Sequence, residues 1–283
     1  MTEEKKKVAF QGEPGAYSEQ ALRKYFEREG VRVASIPCGS LESVIVEVEK
    51  GGASTGIIPV ENSIGGSVDR SYKLISQGGV HVNGEVYLHV RHSLLAIDGT
   101  DMSEIDTVYS HPQALKQCRE FLAELDVRTR ATYDTAGSAK MVKEHQDGKV
   151  AAVASKFAGE KYELNVLMED IQSATKNHTR FLLVSREPET EKTADRAYKT
   201  TITFELEGGA GSLYCCLAPF AEKDINLTMI QSRPTETGRW EYHFDLELEG
   251  HRKDKPVERA ITELNQLVPE VRLLGSYPRG KIL

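Results

Sequence analysis

Residues 177–184 read Asn-His-Thr-Arg-Phe-Leu-Leu-Val, four polar side chains directly before four apolar ones. So short and apolar a run predicts a buried strand, and its polar leader then sits at the strand mouth, where open α/β sheets bind ligands. The run follows two thirds of an α/β pattern and precedes a charged stretch, Ser185 to Lys199, that is poor in apolar residues. This order predicts a strand that returns to an earlier subdomain across a cleft, with Thr179 facing the cleft.

The preceding chain supplies the partners. Lys6 to Phe10 reads as a strand and Gln11 to Ser18 as a Gly/Pro loop, with Ser18 capping a helix whose apolar stripe is Ala21, Leu22, Tyr25 and Phe26. The glycines of that loop either make a tight turn only or let an anion approach free N–H groups at the helix start. Val31 to Pro37 is a second strand, Ser40 caps a helix over Leu41–Glu49, and Thr55 to Val60 is a third strand. Such alternation makes a parallel sheet the economical solution. Glu61-Asn62-Ser63-Ile64-Gly65-Gly66-Ser67 then falls at the carboxyl end of a buried strand. It is either a ligand crevice or a turn in which Asn and Ser bond their own backbone.

Val80 to Val90 and Ser93 to Ile97 read as strands crossing to a second lobe, separated by Arg91-His92. Thr107 to Tyr109 is another strand, ending in Ser110-His111-Pro112-Gln113, with Ser110 capping a helix to Leu125 and Pro112 in its first turn. Gln113 and Gln117 lie one turn apart, as a ligand stripe or a solvated face. Strands at Thr129–Tyr133 and Val150–Ala154, helices after Ser138 and Ser155, and the segment Asn165–Asp170 complete a second α/β lobe.

At 283 residues the chain has room for two domains. Its net charge of −7 and the absence of a basic block beyond Lys5-Lys6-Lys7 exclude a nucleic-acid footprint. No window approaches a membrane span, and the charged start runs straight into Val8-Ala9-Phe10, so a cytoplasmic protein is expected. Cysteines 38, 118, 215 and 216 lack metal or disulfide spacing, and the eight histidines form no H-x-x-x-H pair. Buried thiols and no metal site are expected.

A new unit begins at Thr200. Thr200–Leu206 alternates as a strand, a Gly208–Ser212 loop follows, and Leu213–Glu222 is helical. Asn226–Ser232 and Trp240–Glu249 read as strands joined by a turn over 233–238, Val257–Leu267 as a helix and Val271–Tyr277 as a last strand. The order is βαββαβ, a ferredoxin-like arrangement.

With these pieces placed, the chain resembles the prephenate dehydratase family along nearly its whole length. Asn177-His178-Thr179-Arg180-Phe181 is similar to the family's N-x-T-R-F signature, and Val60-Glu61-Asn62-Ser63 and Ser110-His111-Pro112-Gln113 with Gln117-Cys118 resemble its active-site segments. The C-terminal unit resembles an ACT regulatory domain. Gly211-Ser212-Leu213-Tyr214 is similar to a G-A-L-[YV] segment with Ser for Ala, and Gln231-Ser232-Arg233-Pro234 to E-S-R-P with Gln for Glu.

The resemblance implies an α/β protein with a two-lobed catalytic region similar to type II periplasmic binding proteins over 1–185. Lobe one takes about 1–90 plus 179–185 and lobe two about 91–178, followed by a linker over 186–199 and an ACT domain over 200–283. It further implies conversion of prephenate to phenylpyruvate, water and CO₂ without a cofactor. Feedback inhibition by L-phenylalanine and a tetramer built from dimers are implied as well. Thr179 is the expected donor to the leaving hydroxyl, through a hydrogen-bond chain that Glu61, Asn62, Ser110 and Gln117 orient or polarise. Substrate contacts are expected from Arg180, whose fork suits a carboxylate unless it makes an internal ion pair, and from Ser63, Gly65, Gln113 and Phe181. Strand alternation turns Arg180 away from Thr179 if the strand has already begun there, and Phe181 reads mainly as core. The effector is expected at Gly211, Ser212, Leu213, Asn226, Ser232, Arg233 and Pro234. Two other readings are an arogenate dehydratase and a catalytically silent amino-acid sensor.

Overall fold

The computed structural model describes residues 5–206, 208–235 and 242–283. The chain divides into two compact units. One comprises Met1–Asp69, Val86–Phe181 and Ile282–Leu283, the other Arg70–Glu85 and Leu182–Lys281.

In chain order the first elements are β1 (Lys6–Gln11), α1 (Tyr17–Arg28), β2 (Val33–Cys38), α2 (Leu41–Glu49), β3 (Thr55–Asn62), the two-residue β4 (Gly66–Ser67), α3 (Asp69–Gln77) and β5 (His81–His89). They are followed by β6 (Ser93–Ala96), β7 (Thr107–Ser110), α4 (Pro112–Gln117), α5 (Arg119–Glu124), β8 (Arg128–Ala131), α6 (Thr135–His145), β9 (Val150–Ala154), α7 (Lys156–Tyr162), β10 (Asn165–Met168) and β11 (His178–Ser185). The first sheet runs β2-β1-β3-β11-β5, with β4 paired to β3. Its β1–β2 and β1–β3 pairs are parallel, as the strand–helix alternation requires. β11 enters between β3 and β5, so the polar leader of residues 177–179 arrives beside the end of β3. The second sheet runs β10-β6-β9-β7-β8 and is mixed: β7 pairs β8 and β9 in parallel, whereas β6 pairs β9 and β10 antiparallel. These two sheets form the two-lobed, binding-protein-like fold expected from the sequence.

Several helix starts differ from the sequence reading. α1 begins at Tyr17 after Ala16, so Ser18 is not its cap. Instead Glu19 accepts the Gly15 N–H at 2.7 Å, which occupies a donor that an anion would have used. Burial pushes the Glu19 carboxyl up, but Gly15 and Arg23 outweigh it and the net shift is downward. α6 begins at Thr135, not after Ser138, because Asp134 accepts the Gly137 N–H at 2.9 Å. α4 is capped by His111, whose Nδ1 accepts from the Gln113 N–H at 3.2 Å, so Ser110 is not the cap. The helix expected to reach Leu125 is broken at Cys118 into α4 and α5. Ser40 caps α2 as read, and Ser155 caps α7, the helix expected after it, each accepting from the N–H three residues on.

The second unit contains β12 (Tyr198–Leu206), α8 (Ser212–Ala221), β13 (Leu227–Pro234), β14 (Tyr242–Glu249), α9 (Lys255–Leu264) and β15 (Val271–Pro278), in sheet order β13-β14-β12-β15. This is the ferredoxin-like arrangement. The turn read over 233–238 and the strand start at Trp240 lie partly outside the described residues. Ile202, Phe204, Phe244, Leu246 and Leu248 pack under α8 and α9 against Phe220, Val257 and Leu264. Strand alternation alone would leave the other face to water, yet Lys199, Thr201, Asp245 and Glu247 are buried there. Lys199 Nζ stands 3.1 Å from Glu85 and 2.9 Å from Glu247, and the Tyr277 hydroxyl donates to Glu247 at 3.1 Å.

Removing one ion from such a buried set leaves uncompensated charge, an effect of about 3–5 kcal/mol. Lys199→Met is therefore expected to lower the unfolding free energy by about 3–5 kcal/mol, read from the denaturant midpoint. A change within experimental scatter would refute the ion set as a stabilising feature.

Candidate active site

The site grows from one carboxamide. Asn62 ends β3, and its Oδ1 accepts the backbone N–H groups of Ile64 at 3.1 Å and Gly65 at 2.7 Å. Backbone N–H groups only donate, so the amide oxygen must face them and Nδ2 must face the other way. Nδ2 then donates to Asn177 Oδ1 at 2.8 Å and to Thr179 Oγ1 at 3.0 Å. Asn177 is fully buried, and its own Nδ2 donates to Gln117 Oε1 at 3.0 Å. Gln117 Oε1 also lies 2.8 Å from His92 Nε2, and His92 Nδ1 lies 2.8 Å from the Tyr17 hydroxyl. Six side chains from both lobes thus form one connected series.

The half-buried Thr179 hydroxyl accepts from Asn62 and donates to no other group among the described residues. Ser63 pins the neighbouring turn to β11: its Oγ donates to the Lys176 carbonyl at 3.1 Å and accepts the His178 N–H at 2.9 Å. Gly65 faces Gln113, and a Cβ there would lie 3.2 Å from both Gln113 Nε2 and Asn62 Oδ1. Hence Asn62, Ser63, Gly65, Gln113, Gln117 and Thr179 converge. His178 stacks instead on His89, with ring centroids 4.8 Å apart.

Four other expected residues sit elsewhere. Glu61 is exposed, and the alternation of β3 sends it away from the side taken by Asn62. Ser110 is fully buried and its hydroxyl donates to the Val153 carbonyl at 2.6 Å, so it ties β7 to β9 rather than facing the cleft. Arg180 is buried over the Tyr87 ring at 5.9 Å, on the face opposite Thr179. Phe181 is core, 1% exposed.

Burial pushes His92 below the ordinary imidazole range, and the hydrogen bond to Gln117 opposes this only in part. Burial raises the Tyr17 phenol well above its usual value, with Cys118 adding to the effect. The Cys118 thiol is pushed up to about 12 by burial, which makes it inert. Sequence reasoning missed Tyr17 and His92 as site members, and it placed Asn177 in the polar leader at the strand mouth without giving it a role. The one available signal was the polar leader ahead of residues 181–184.

In the second unit, Gly211 takes a left-handed conformation, φ 82°, before α8, and Ser212 opens that helix. Leu213 packs on the core beneath it. Asn226 is exposed just before β13, its carbonyl accepting the Glu249 N–H at 2.9 Å. Ser232 and Pro234 are exposed on β13. Arg233 is committed elsewhere: its Nε donates to Asp245 at 2.7 Å and its Nη2 to Asp245 at 3.1 Å and Ser76 at 3.3 Å. Its guanidinium is therefore not a free effector ligand.

The family model for prephenate dehydratase matches residues 8–189. The chain belongs to the prephenate dehydratase family. Among curated relatives, "Arogenate dehydratase/prephenate dehydratase 2, chloroplastic" of Arabidopsis thaliana is 39% identical over 281 residues, covering 96% of this chain and 72% of that protein. A solved prephenate dehydratase in complex with L-Phe from Arthrobacter aurescens superposes with a TM-score of 0.87 at 30% identity, covering 96% of this chain and 89% of the other. A structure described as GqqA, a novel type of quorum quenching acylase, has a TM-score of 0.89 at 33% identity, covering 97% and 98%.

Within this family member the buried amide series has a measurable consequence. Asn177→Asp replaces a donor by an acceptor opposite Gln117 Oε1, an unmet buried pairing of about 1–3 kcal/mol. A fall in unfolding free energy of about that size is expected in urea titration, and an unchanged midpoint would contradict the assigned polarity.

Proposed function

We propose that this chain converts prephenate to phenylpyruvate, water and CO₂ on the path to L-phenylalanine. The observation carrying the reading is the Thr179 hydroxyl, which accepts from Asn62 and donates to no other group among the described residues. As the ring carboxylate leaves as CO₂, its bonding pair enters the ring and the ring hydroxyl departs with its own bonding pair as hydroxide, which takes up a proton from solvent to become water. A hydrogen bond from Thr179 stabilises the negative charge that develops on that oxygen. The substrate's own aromatisation provides the driving force. In this reading Asn62 and Gln117 orient Thr179, while Gln113 and the Gly65 turn line the mouth.

The proposed organisation is a catalytic region over 1–185, a linker that ends at about residue 197 rather than 199 because Tyr198 opens β12, and an ACT-type regulatory domain from there to 283. L-phenylalanine is the proposed effector, supported by the ferredoxin-like fold and by the solved relative bound to L-Phe. The contacts offered for it are those around Gly211, Ser212, Asn226 and Ser232. A homo-oligomer, up to a dimer of dimers, is proposed through the outer edge of β13, where Ile230 is 48% exposed. Four free cysteines fit a reducing compartment such as the cytoplasm.

Curated relatives named arogenate dehydratases support a second substrate, in which the keto group of the side chain is an amino group. Parallel turnover of the purified chain on prephenate and arogenate ranks the two. Phenylpyruvate formed from prephenate is followed by its enolate absorbance in alkali and phenylalanine formed from arogenate by amino-acid analysis, with prephenate expected to be the better substrate.

Thr179→Ala is expected to lower kcat by about 10²–10⁴ with little change in KM. Undiminished turnover would remove Thr179 from the chemistry. Added L-phenylalanine is expected to suppress turnover, and indifference to it would count against the effector assignment. Ile230→Lys is expected to shift the sedimenting species toward smaller assemblies, and an unchanged distribution would place the interface elsewhere.

A further inference from the structure

The amide series has a direction, and the direction is imposed from one end. Because the Ile64 and Gly65 N–H groups fix Asn62, Asn177 must turn Oδ1 toward Asn62 and Nδ2 toward Gln117. Gln117 must then present Oε1, and the atom facing Oε1 from the far side, His92 Nε2 at 2.8 Å, must carry a proton. The other ring nitrogen faces the Tyr17 hydroxyl at 2.8 Å, which also lies 2.8 Å from the Arg91 carbonyl. A neutral His92 therefore presents its Nδ1 lone pair to Tyr17, whose single proton the Arg91 carbonyl also takes, whereas an imidazolium would donate at Nδ1 and leave that proton to Arg91. In either charge state Nε2 keeps its proton.

We propose that His92 is a positioning residue for the Thr179 hydroxyl, held as the Nε2–H tautomer between Tyr17 and Gln117. The opposite tautomer would set the Nε2 lone pair against Gln117 Oε1. Relieving that clash by turning Gln117 and Asn177 over would bring two amide donors together at Asn62. Asn62 cannot follow, since its oxygen is held by two backbone donors. Strain from a wrong His92 proton thus ends at the one side chain that orients Thr179. The crossing segment adds support: the His92 N–H donates to Gln172 Oε1 at 2.7 Å and its carbonyl accepts the Ile171 N–H at 3.1 Å. The ring meets Tyr17 edge-on, with centroids 5.6 Å apart and an interplanar angle of 80°. Its backbone and both ring nitrogens are therefore engaged.

This inference rests on the dehydratase reading for its kinetic consequence, but not for its structural one. Nitrogen-15 NMR of the full chain labelled in its imidazoles, with His92 assigned by its loss in His92→Gln, reports the tautomer without substrate. Above the titration of the ring, a protonated Nε2 and a bare Nδ1 are expected. A protonated Nδ1 in the neutral ring would overturn the proposal.

In turnover, His92→Leu removes the donor to Gln117. A fall in kcat of about tenfold or more is expected from the lost alignment, with KM within about twofold. His92→Gln places an amide N–H near the Nε2 position and is expected to recover kcat to within about threefold of the parent. Full activity in His92→Leu overturns the positioning role, as does a folded His92→Gln that is no better than the leucine variant. If His92→Leu fails to fold, the tautomer and the glutamine variant decide. A parent chain inactive on both prephenate and arogenate fails the dehydratase reading, and the NMR result then judges the tautomer alone.

Discussion

Two backbone N–H groups, those of Ile64 and Gly65, hold the Asn62 carboxamide in one orientation, and the side-chain amide contacts of the candidate site take their sense from that anchor. Side-chain amides are ambidextrous in shape but not in hydrogen bonding. Once one amide is fixed by groups that can only donate, its neighbours lose their freedom in turn. Asn177, with no solvent contact, cannot satisfy itself with water and must pass the constraint on to Gln117. The outcome is a hydroxyl, on Thr179, that accepts from Asn62 at a fixed place in the series.

The same anchor explains the glycine after Ile64. Gly65 must bring its N–H within 2.7 Å of Asn62 while leaving room for Gln113, and a side chain there would crowd both. Gly66 adopts φ 83°, the left-handed region that a side chain disfavours, so the turn into β4 depends on it. Ser63 completes the arrangement by exchanging hydrogen bonds with β11. These contacts tie the turn to the residues that open β11.

In the second unit, burial rather than solvent exposure governs the polar face of the sheet. Lys199, Glu85 and Glu247 compensate one another, and Arg233 with Asp245 forms a bidentate pair. Arg233 shows how a motif residue can be recognised and still be misassigned. The sequence segment Gln231-Ser232-Arg233-Pro234 marks a strand end, yet only the cross-strand register that pairs Gln231 with Asp245 and Arg233 with His243 brings the guanidinium within reach of Asp245.

Strand and helix alternation, the βαββαβ order and the crevice residues at the end of β3 were all legible in the chain, because each depends on periodicities of a few residues. Thr179, Asn62, Gln113 and Gln117 were legible as polar groups at element ends. Helix starts were read less well: α6 starts after Asp134 rather than after Ser138, and His111, not Ser110, caps α4, since several residues near each start have oxygens or nitrogens able to serve. Ser110 and Arg180 were chemically suitable for the site but are turned into the protein, against Val153 and Tyr87. Local pattern thus determined which elements form and where polar groups cluster. Only the tertiary structure decided that Tyr17, His92 and Asn177, separated by up to 160 residues, join Asn62 in one directed series. The physical reason is that hydrogen-bond polarity belongs to a spatial network, and no stretch of sequence contains more than a fragment of it.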